Sequence, residues 1–327
     1  MSSGFGRLAL ITGASGFVGN RLLSALEADG VPSRTLSRMW RDSKNVVVGD
    51  LQDAASLGLA CETVDTVFHC AGYAHAFSAL NQDEAVRHQL INFEGTRNLV
   101  NAAGQAGVRC FVFLSSVKAM AEPRDACADE DWPGLPQTDY GRAKRAAEEA
   151  VLEAGVRYGM HVVNLRLAMV YGAGGRGNLE RMGRLIRLGI FPPLPETGNH
   201  RSLVHVNDVV SAIRLVVSDS RAAGQTYIVA NEFAPSGRQL YEAIRGVSGL
   251  PRRGGAVPRF WLQGLARIGD GLGRVSGRRM PFDSEVLQRL LGSAWYSPAR
   301  IKRDLGWGAQ ISLEDGLSEM MSGGLSL

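Results

Sequence analysis

Short apolar runs alternate with amphipathic, helix-like stretches through the first half of the chain. The runs that predict strands are Leu8–Ile11, Ser33–Leu36, Asn45–Val48, Thr66–His69, Arg109–Leu114 and His161–Leu167. The stretches that predict helices are Gly16–Asp29, Asp53–Leu59, Asp83–Gly104 and Thr138–Tyr158. Because the strands are not alternately polar, both faces of the sheet are expected to be buried. The pattern predicts an α/β fold, a doubly wound parallel sheet covered by helices on both faces.

The second half of the chain has a different amino-acid composition. From Tyr171 it is rich in glycine and proline, as in YGAGGRGN and FPPLPETGNH. A strand and a helix return within Arg201–Val217, and a further strand is predicted at Thr226–Val229. Short helical segments rich in arginine and glycine follow. We therefore expect a sheet domain and a smaller, loop-rich lobe built from later segments.

A glycine turn directly follows the first predicted strand. In TGASGFVG, the glycines Gly13, Gly16 and Gly19 lie three residues apart. Gly13 allows a sharp turn, Gly16 leaves the N–H groups of the helix start open to a phosphate, and Gly19 lets the helix approach the sheet. The helix N-terminus favours a pyrophosphate. The spacing differs from GxGxxG, and a purely structural turn is the alternative, but the position predicts a dinucleotide site.

The second strand suggests which dinucleotide binds. Proteins that bind NAD carry an acidic residue about 20 residues beyond the glycines. This chain has Arg38 in that region and no acidic residue until Asp42. An arginine suits a 2′-phosphate, which favours NADP over NAD. Alternatively, Arg38 stacks on the adenine and NAD binds. Asp50 and Leu51 end the third strand, where the adenine is expected.

The sequence YGRAK holds the candidate catalytic pair. Tyr140 and Lys144 are four residues apart and share one face of a predicted helix. The ordinary pKa of tyrosine is about 10, so a neighbouring ammonium and a cationic nicotinamide are needed to favour the phenolate. Ser116, at the end of the strand CFVFLSS, is placed to bind the same substrate oxygen. A Tyr–Lys pair is also common on solvated surfaces, but combined with the glycine turn it predicts an oxidoreductase.

Composition and charge exclude some classes of protein. Hydrophobic residues make up 45% and charged residues 21%, as in ordinary globular proteins. The net charge is +4, but no basic stripe or nucleic-acid-binding module is present, so no nucleic-acid partner is expected. The four cysteines form no CxxC pair; three of them lie in or beside apolar runs and are predicted to be reduced core residues, and no metal site is expected.

The hydropathy pattern also bears on where the protein is located and whether it contacts a membrane. No signal peptide and no apolar run of about 20 residues is found, which predicts a soluble cytoplasmic protein. The segment 257–279 places Trp261, Leu265, Ile268 and Leu272 at helical spacing among arginines. Such a stripe either packs on its own domain or lies on a membrane surface.

Several motifs resemble the extended short-chain dehydrogenase/reductases, the nucleotide-sugar epimerase/dehydratase family. The similar segments are TGASGFVG, HCAG at His69–Gly72, NFEGTRNL, Ser115–Ser116 with YGRAK, RLAMVYG and RSLVHVNDV. Ala173 stands where the family usually has proline. The resemblance covers nearly the whole chain and implies a Rossmann-type domain over 1–171 and 202–230. The smaller C-terminal substrate-binding lobe would comprise 172–201 and 231–327, and family members often form homodimers through the two long helices.

The resemblance also implies the residues of the site. The catalytic set would be Ser116, Tyr140 and Lys144. The cofactor would contact Gly13, Ser15, Gly16, Phe17, Val18, Gly19, Arg38, Asp50, Leu51, Ala71, Gly72, Tyr140, Lys144 and Leu167. The substrate would contact Tyr73, Ser116, Asn178 and Arg201. In this set Arg201 pairs with the substrate diphosphate and Asn178 contacts it; an interlobe salt bridge is the alternative for Arg201. Tyr73 and His75 either touch the sugar or belong to a loop.

The residues after Ser116 narrow the chemistry. Dehydratases of the family carry an Asp–Glu pair there, whereas this chain has Val117 and Lys118, so dehydration is not expected. Lys118 either contacts substrate or faces solvent. The resemblance favours reduction of a UDP-4-keto-6-deoxy-hexosamine in surface-polysaccharide biosynthesis, with a UDP-sugar 4-epimerase as the alternative. A non-catalytic nucleotide sensor of the same fold is a third hypothesis, disfavoured because Tyr140 and Lys144 are both present.

Overall fold

The computed structural model describes residues 8–39, 45–73, 82–123, 126–175, 177–251, 254–276 and 282–323. The strands in these ranges are β1 Ala9–Thr12, β2 Ser33–Ser37, β3 Val46–Val48, β4 Thr66–His69, β5 Cys110–Ser116, β6 His161–Leu167, β7 Met169–Tyr171, β8 Leu203–His205 and β9 Gln225–Val229. Seven of them form one parallel sheet in the order β3-β2-β1-β4-β5-β6-β9. The predicted Rossmann-type doubly wound sheet is confirmed, and the strand order reverses between β1 and β4, where such sheets bind ligands.

The helices connect the strands and cover the sheet. They are α1 Phe17–Ala28, α2 Ala54–Cys61, α3 Gln82–Arg87, α4 Gly95–Gln105, α5 Asp139–Tyr158, α6 Asn178–Arg187, α7 Val206–Ser218, α8 Gly237–Val247, α9 Arg259–Ser276, α10 Ser284–Leu291, α11 Ala299–Leu305 and α12 Leu313–Ser322. The helix predicted over Asp83–Gly104 comprises α3, a π-helical turn at His88–Glu94 and α4. Among the described residues, no helix is both long and apolar enough to cross a bilayer.

Two hydrophobic clusters lie on opposite faces of the main sheet. Alternate residues of β5 point to opposite faces, so Phe111 and Phe113 join one cluster while Val112 and Leu114 join the other. Helices α2, α4 and α5 cover the Phe113 face, and α1 and α7 cover the other. The central strands β1, β4, β5 and β6 are therefore buried from both sides, whereas β2 and β3 towards one edge of the sheet are only partly buried.

A third hydrophobic cluster lies outside the main sheet. It includes Leu179 of α6, Leu240 of α8, Leu262 of α9 and Leu317 of α12. Strands β7 and β8 form a separate two-stranded parallel sheet beside it. Because its segments come from both sides of β8 and β9 in the chain, only folding brings them together. The assignment of this region to substrate binding stays a prediction.

Candidate active site

The glycine turn after β1 leaves backbone groups open at the start of α1. Gly13 has a positive φ of 69°, and a Cβ atom there would lie 2.6 Å from the main-chain nitrogen of Ala71. A Cβ atom at Gly19 would overlap the main-chain oxygen of Gly13. Gly16 caps α1 without a side-chain hydrogen bond, so the first N–H groups of the helix have no side-chain acceptor from the cap. These features fit a pyrophosphate at this helix start.

The other residues predicted to contact the cofactor follow the carboxyl ends of the strands. They are Ser15, Phe17 and Val18 after β1, Arg38 after β2, Asp50 and Leu51 after β3, Ala71 and Gly72 after β4, and Leu167 at the end of β6. Carboxyl ends of parallel strands share one edge of a sheet, so the fold brings these residues to the same side. Arg38 is exposed. Arg34, at the opposite end of β2, donates instead to the main-chain oxygen of Ala60, and Asp42 lies outside the described residues.

Strand β5 and helix α5 bring Ser116 next to Tyr140. Strand β5 ends at Ser116, and α5 begins at Asp139, where the Thr138 hydroxyl accepts a hydrogen bond from the Gly141 N–H at 3.1 Å. Tyr140 therefore lies in the first turn of α5, close enough to Ser116 for the serine hydroxyl to influence the pKa of the phenol. The two predicted catalytic hydroxyl groups are neighbours.

Lys144 lies one turn further along α5 and is buried. Its Nζ donates to the main-chain oxygen of Leu114 at 2.9 Å and lies 4.5 Å from the centre of the Phe113 ring. Burial lowers the pKa of Lys144 to about 8, against the opposing influence of the Glu148 carboxylate. A Cβ atom at Gly72 would lie 3.5 Å from Nζ, so glycine lets the chain after β4 approach the ammonium.

Burial raises the pKa of Tyr140, and the nearby Ser116 hydroxyl opposes this rise. The lowering expected from Lys144 together with a bound cationic nicotinamide stays a prediction. Burial of a phenol disfavours its charged form. In this structure Tyr140 is therefore a protonated phenol at neutral pH, suited to donate a proton.

The side chain of Asn92 fixes the segment after β4. Its Oδ1 accepts from the Tyr73 N–H at 2.8 Å, and its Nδ2 donates to the Tyr73 carbonyl oxygen at 2.9 Å. Tyr73, predicted to contact substrate, is thereby held near α5 by the helix that carries Asn92. His75, the other candidate here, lies outside the described residues.

His88, a buried histidine beside the phenol, was not among the site residues predicted from the sequence. Its ring lies 5.5 Å from the Tyr140 ring, edge to face, and 5.1 Å from the Tyr73 ring. Asn92 Nδ2 lies 3.0 Å from His88 Nδ1. Burial lowers the pKa of His88, so the imidazole is neutral and packs between the two tyrosines. Its position four residues before Asn92 was the available signal.

A buried ion pair between Arg166 and Glu148 attaches α5 to the sheet. Arg166 of β6 donates from Nη2 to Glu148 Oε2 at 2.8 Å, and Ser115 donates from Oγ to Glu148 Oε1 at 2.5 Å. Both charged side chains are almost completely buried. The pair ties α5 to β5 and β6 one turn beyond Lys144, which fixes the helix that carries the catalytic candidates.

Lys118 faces away from this arrangement. Its ammonium forms an ion pair with Glu122, and both side chains are exposed. The neighbouring Val117 is buried in the core. These contacts support the solvent-facing alternative for Lys118.

Arg201 and Asn178 line a large cavity beside the third hydrophobic cluster. The cavity has a volume of about 540 Å³, and its other polar lining residues are Arg181 and Arg289. Burial, reinforced by the nearby Arg289 charge, lowers the pKa of Arg201, and its Nη1 donates to the Gly292 carbonyl oxygen at 3.4 Å. Within the described parts of the chain Arg201 forms no ion pair, so the interlobe salt bridge is not supported.

The cavity and the catalytic residues are adjacent but separate features. Met169, on β7 just beyond the end of β6 at Leu167, lines the cavity, whereas Ser116 and Tyr140 do not. The remaining lining is mostly aliphatic and comes from α6, α8, α9, α10 and the loop after α6. A ligand that contacted both Arg201 and Tyr140 would therefore have to extend beyond this cavity.

Comparison with known proteins identifies the family to which this chain belongs. The model of the NAD dependent epimerase/dehydratase family matches residues 9–230. The chain belongs to this family. It is therefore an enzyme of the extended short-chain dehydrogenase/reductase type, as its motifs predicted, and the family is NAD-dependent.

Individual relatives differ in what their names say they act on. UDP-glucose 4-epimerase of Vibrio cholerae is 28% identical over 95% of this chain and 93% of its own length. Sterol demethylase protein B of Methylococcus capsulatus is 31% identical over 91% of this chain and 92% of its own length. The solved structure of MoeE5 with UDP-glucuronic acid and NAD is 24% identical, covers 96% of this chain and 98% of its own, and has a TM-score of 0.73. That likeness shows the fold.

Proposed function

We propose that this protein transfers hydride at C4 of a nucleotide sugar, and that it reduces a UDP-4-keto-6-deoxy-hexosamine in surface-polysaccharide biosynthesis. The observation that carries the proposal is the grouping of Ser116 at the end of β5 with Tyr140 in the first turn of α5 and Lys144 one turn further along. Two neighbouring hydroxyl groups can bind and protonate one substrate oxygen.

The proposed chemistry divides between cofactor and protein. A bound nicotinamide would supply the hydride to the keto carbon. Tyr140 donates its phenolic proton to the oxygen at C4 as negative charge develops there, and Ser116 Oγ holds the same oxygen. The raised pKa of Tyr140 supports an acid role in reduction, since the phenol stays protonated at neutral pH.

The same proposal assigns the rest of the substrate and the cofactor. Arg201 and Asn178 would bind the diphosphate, because a guanidinium without an internal ion pair suits a phosphate. Arg38 would bind a 2′-phosphate, which makes NADP the proposed cofactor within an NAD-dependent family. The exposed position of Arg38 after β2 supports this assignment.

A UDP-sugar 4-epimerase is the second candidate. The observation that favours it is the similarity to the Vibrio cholerae UDP-glucose 4-epimerase over 95% of this chain. An epimerase must also oxidise C4, and for that step Tyr140 would have to lose its proton. Arg38 after β2 suits NADPH, the cofactor that a reductase consumes, and we therefore keep reduction as the first proposal.

The proposal also covers the oligomeric state of the protein and its location in the cell. We propose a cytoplasmic homodimer that pairs through the helices around 83–104 and 138–158. Val86 and Leu90 on the first helix and Val156 on α5 are large apolar side chains exposed to solvent, which supports an interface there. Val156→Glu should convert a dimer to a monomer in sedimentation velocity; an unchanged sedimentation coefficient would contradict this interface.

One assay separates the two candidate reactions. The purified protein is incubated with UDP-4-keto-6-deoxy-GlcNAc and NADPH, and nicotinamide absorbance and sugar products are followed. Consumption of NADPH with formation of the 4-hydroxy sugar supports the reductase. Interconversion of UDP-GlcNAc and UDP-GalNAc without added cofactor supports the epimerase. Tyr140→Phe is the control, because activity that survives in this variant does not come from the proposed site.

A further inference from the structure

Helix α9 exposes an unusual amount of apolar surface. Its large apolar side chains Phe260, Trp261, Leu265, Ile268 and Leu272 are between 51% and 65% exposed. We call these five side chains the α9 surface. The helix is nevertheless anchored by its other face, because Leu262 and Ala266 are completely buried in the third hydrophobic cluster.

The α9 surface continues onto a neighbouring element. Leu265, Ile268 and Leu272 line the large cavity opposite Ile190, which follows α6 and is 67% exposed. Leu188, in the same loop, is also exposed. Exposed apolar side chains from two elements thus form one patch, and contiguous patches of this kind are typical of interaction surfaces.

Basic side chains accompany this patch on both elements. On α9 the exposed arginines are Arg259, Arg267 and Arg274, and on α6 they are Arg181, Arg184 and Arg187. The acidic residue of α9, Asp270, accepts hydrogen bonds from the N–H and hydroxyl of Ser284, which lower its pKa. Its carboxylate is thus directed at α10, and the charge presented beside the patch is positive.

Apolar side chains flanked by arginines match the chemistry of an anionic bilayer surface. Aromatic and aliphatic groups enter the boundary between headgroups and acyl chains, while arginines reach the phosphates. We propose that the α9 surface docks this enzyme on anionic membranes. The docking is peripheral, with α9 lying along the surface, and it does not depend on which sugar reaction the enzyme performs.

Vesicle binding tests this proposal on the full-length protein. We expect co-sedimentation with phosphatidylcholine vesicles containing about one-third phosphatidylglycerol, and much weaker binding to pure phosphatidylcholine. The double variant Phe260→Ser/Trp261→Ser should lower the partition coefficient about tenfold or more. Arg267→Glu/Arg274→Glu should remove the preference for phosphatidylglycerol, and high salt should weaken wild-type binding.

A matched control distinguishes binding through the α9 surface from nonspecific hydrophobic adsorption to vesicles. Leu135 and Phe233 are also large, exposed apolar side chains, but they lie outside α9. Leu135→Ser/Phe233→Ser should bind vesicles as wild type does, and thermal melting should show that all variants are folded. Phe260 and Trp261 do not line the cavity, so their double variant should keep its activity on a soluble substrate.

Equal sedimentation of wild type and Phe260→Ser/Trp261→Ser, including no sedimentation of either, would overturn the proposal. Light scattering of the same variant then shows whether its mass has changed from dimer to monomer. If it has, a second copy of the chain, and not a bilayer, covers the α9 surface.

Discussion

Lys144 of α5 donates a hydrogen bond from Nζ to the main-chain oxygen of Leu114 on β5, 2.9 Å away. This bond directs a buried ammonium to the strand that ends at Ser116. The ammonium is held in an environment that disfavours its charge, because burial lowers the pKa of Lys144 to about 8. Ionisable side chains whose burial destabilises the folded protein are common in functional sites.

Tyr140→Phe should reduce turnover by about 10²–10⁴-fold, because the variant loses the proton donor while its ring packing is preserved. Cofactor affinity, measured by fluorescence titration, should change little. Tyr158→Phe on the same helix is the control and should have wild-type turnover. Unchanged turnover in Tyr140→Phe would remove the phenol from the mechanism.

Lys144→Met should inactivate the enzyme but stabilise the cofactor-free protein by about 1–3 kcal/mol at neutral pH. The pKa of Lys144 falls from 10.5 to about 8 on folding, so the folded state disfavours the ammonium. The stabilisation should be full below pH 8 and should fade as the pH rises towards 10.5. Urea denaturation at several pH values measures it, and a less stable variant at pH 7 would contradict the expectation.

Arg38→Ala should weaken binding of NADP more than binding of NAD, since only NADP carries the 2′-phosphate. We expect the ratio of the two dissociation constants to change by about tenfold, which corresponds to one charge-assisted contact. Arg34→Ala, at the other end of β2, is the control and should leave the ratio unchanged. Equal losses for both cofactors in Arg38→Ala would assign the side chain to adenine stacking.

Arg201→Ala should raise the Michaelis constant for the UDP-sugar by about 10–100-fold, because it removes the cation proposed to bind the diphosphate. NADPH affinity should stay near the wild-type value. Steady-state kinetics and cofactor titration distinguish the two effects. A parallel loss of NADPH affinity would mean that Arg201 acts on the architecture of the protein.

Glu148→Ala should destabilise the protein by about 3–5 kcal/mol, because Arg166 would remain buried without its carboxylate. Glu149→Ala is the matched control one residue away. Glu149 pairs with Arg145 on the exposed face of α5, where an ion pair contributes about 0–1 kcal/mol. Urea denaturation compares the two variants, and similar midpoints would show that the buried pair does not hold α5.

The local features of this protein were predictable from its sequence. Every predicted strand lies within two residues of its observed bounds, because runs of apolar residues mark the segments that a sheet buries. The glycine turn and the Tyr140–Lys144 spacing involve residues less than two helical turns apart, and helix geometry fixes such pairs. The nucleotide-binding side of the sheet follows from the same local rules.

Tertiary packing decided what no local pattern contains. The contact between His88 and Tyr140 arises where the π-helical turn packs on α5, and the two residues are far apart in the chain. Burial sets the direction of the Tyr140 pKa, and burial depends on every element packed around the phenol. The apolar stripe of α9 was visible in the sequence, but only the folded chain shows that Leu262 and Ala266 face inward while Trp261 and Ile268 stay exposed.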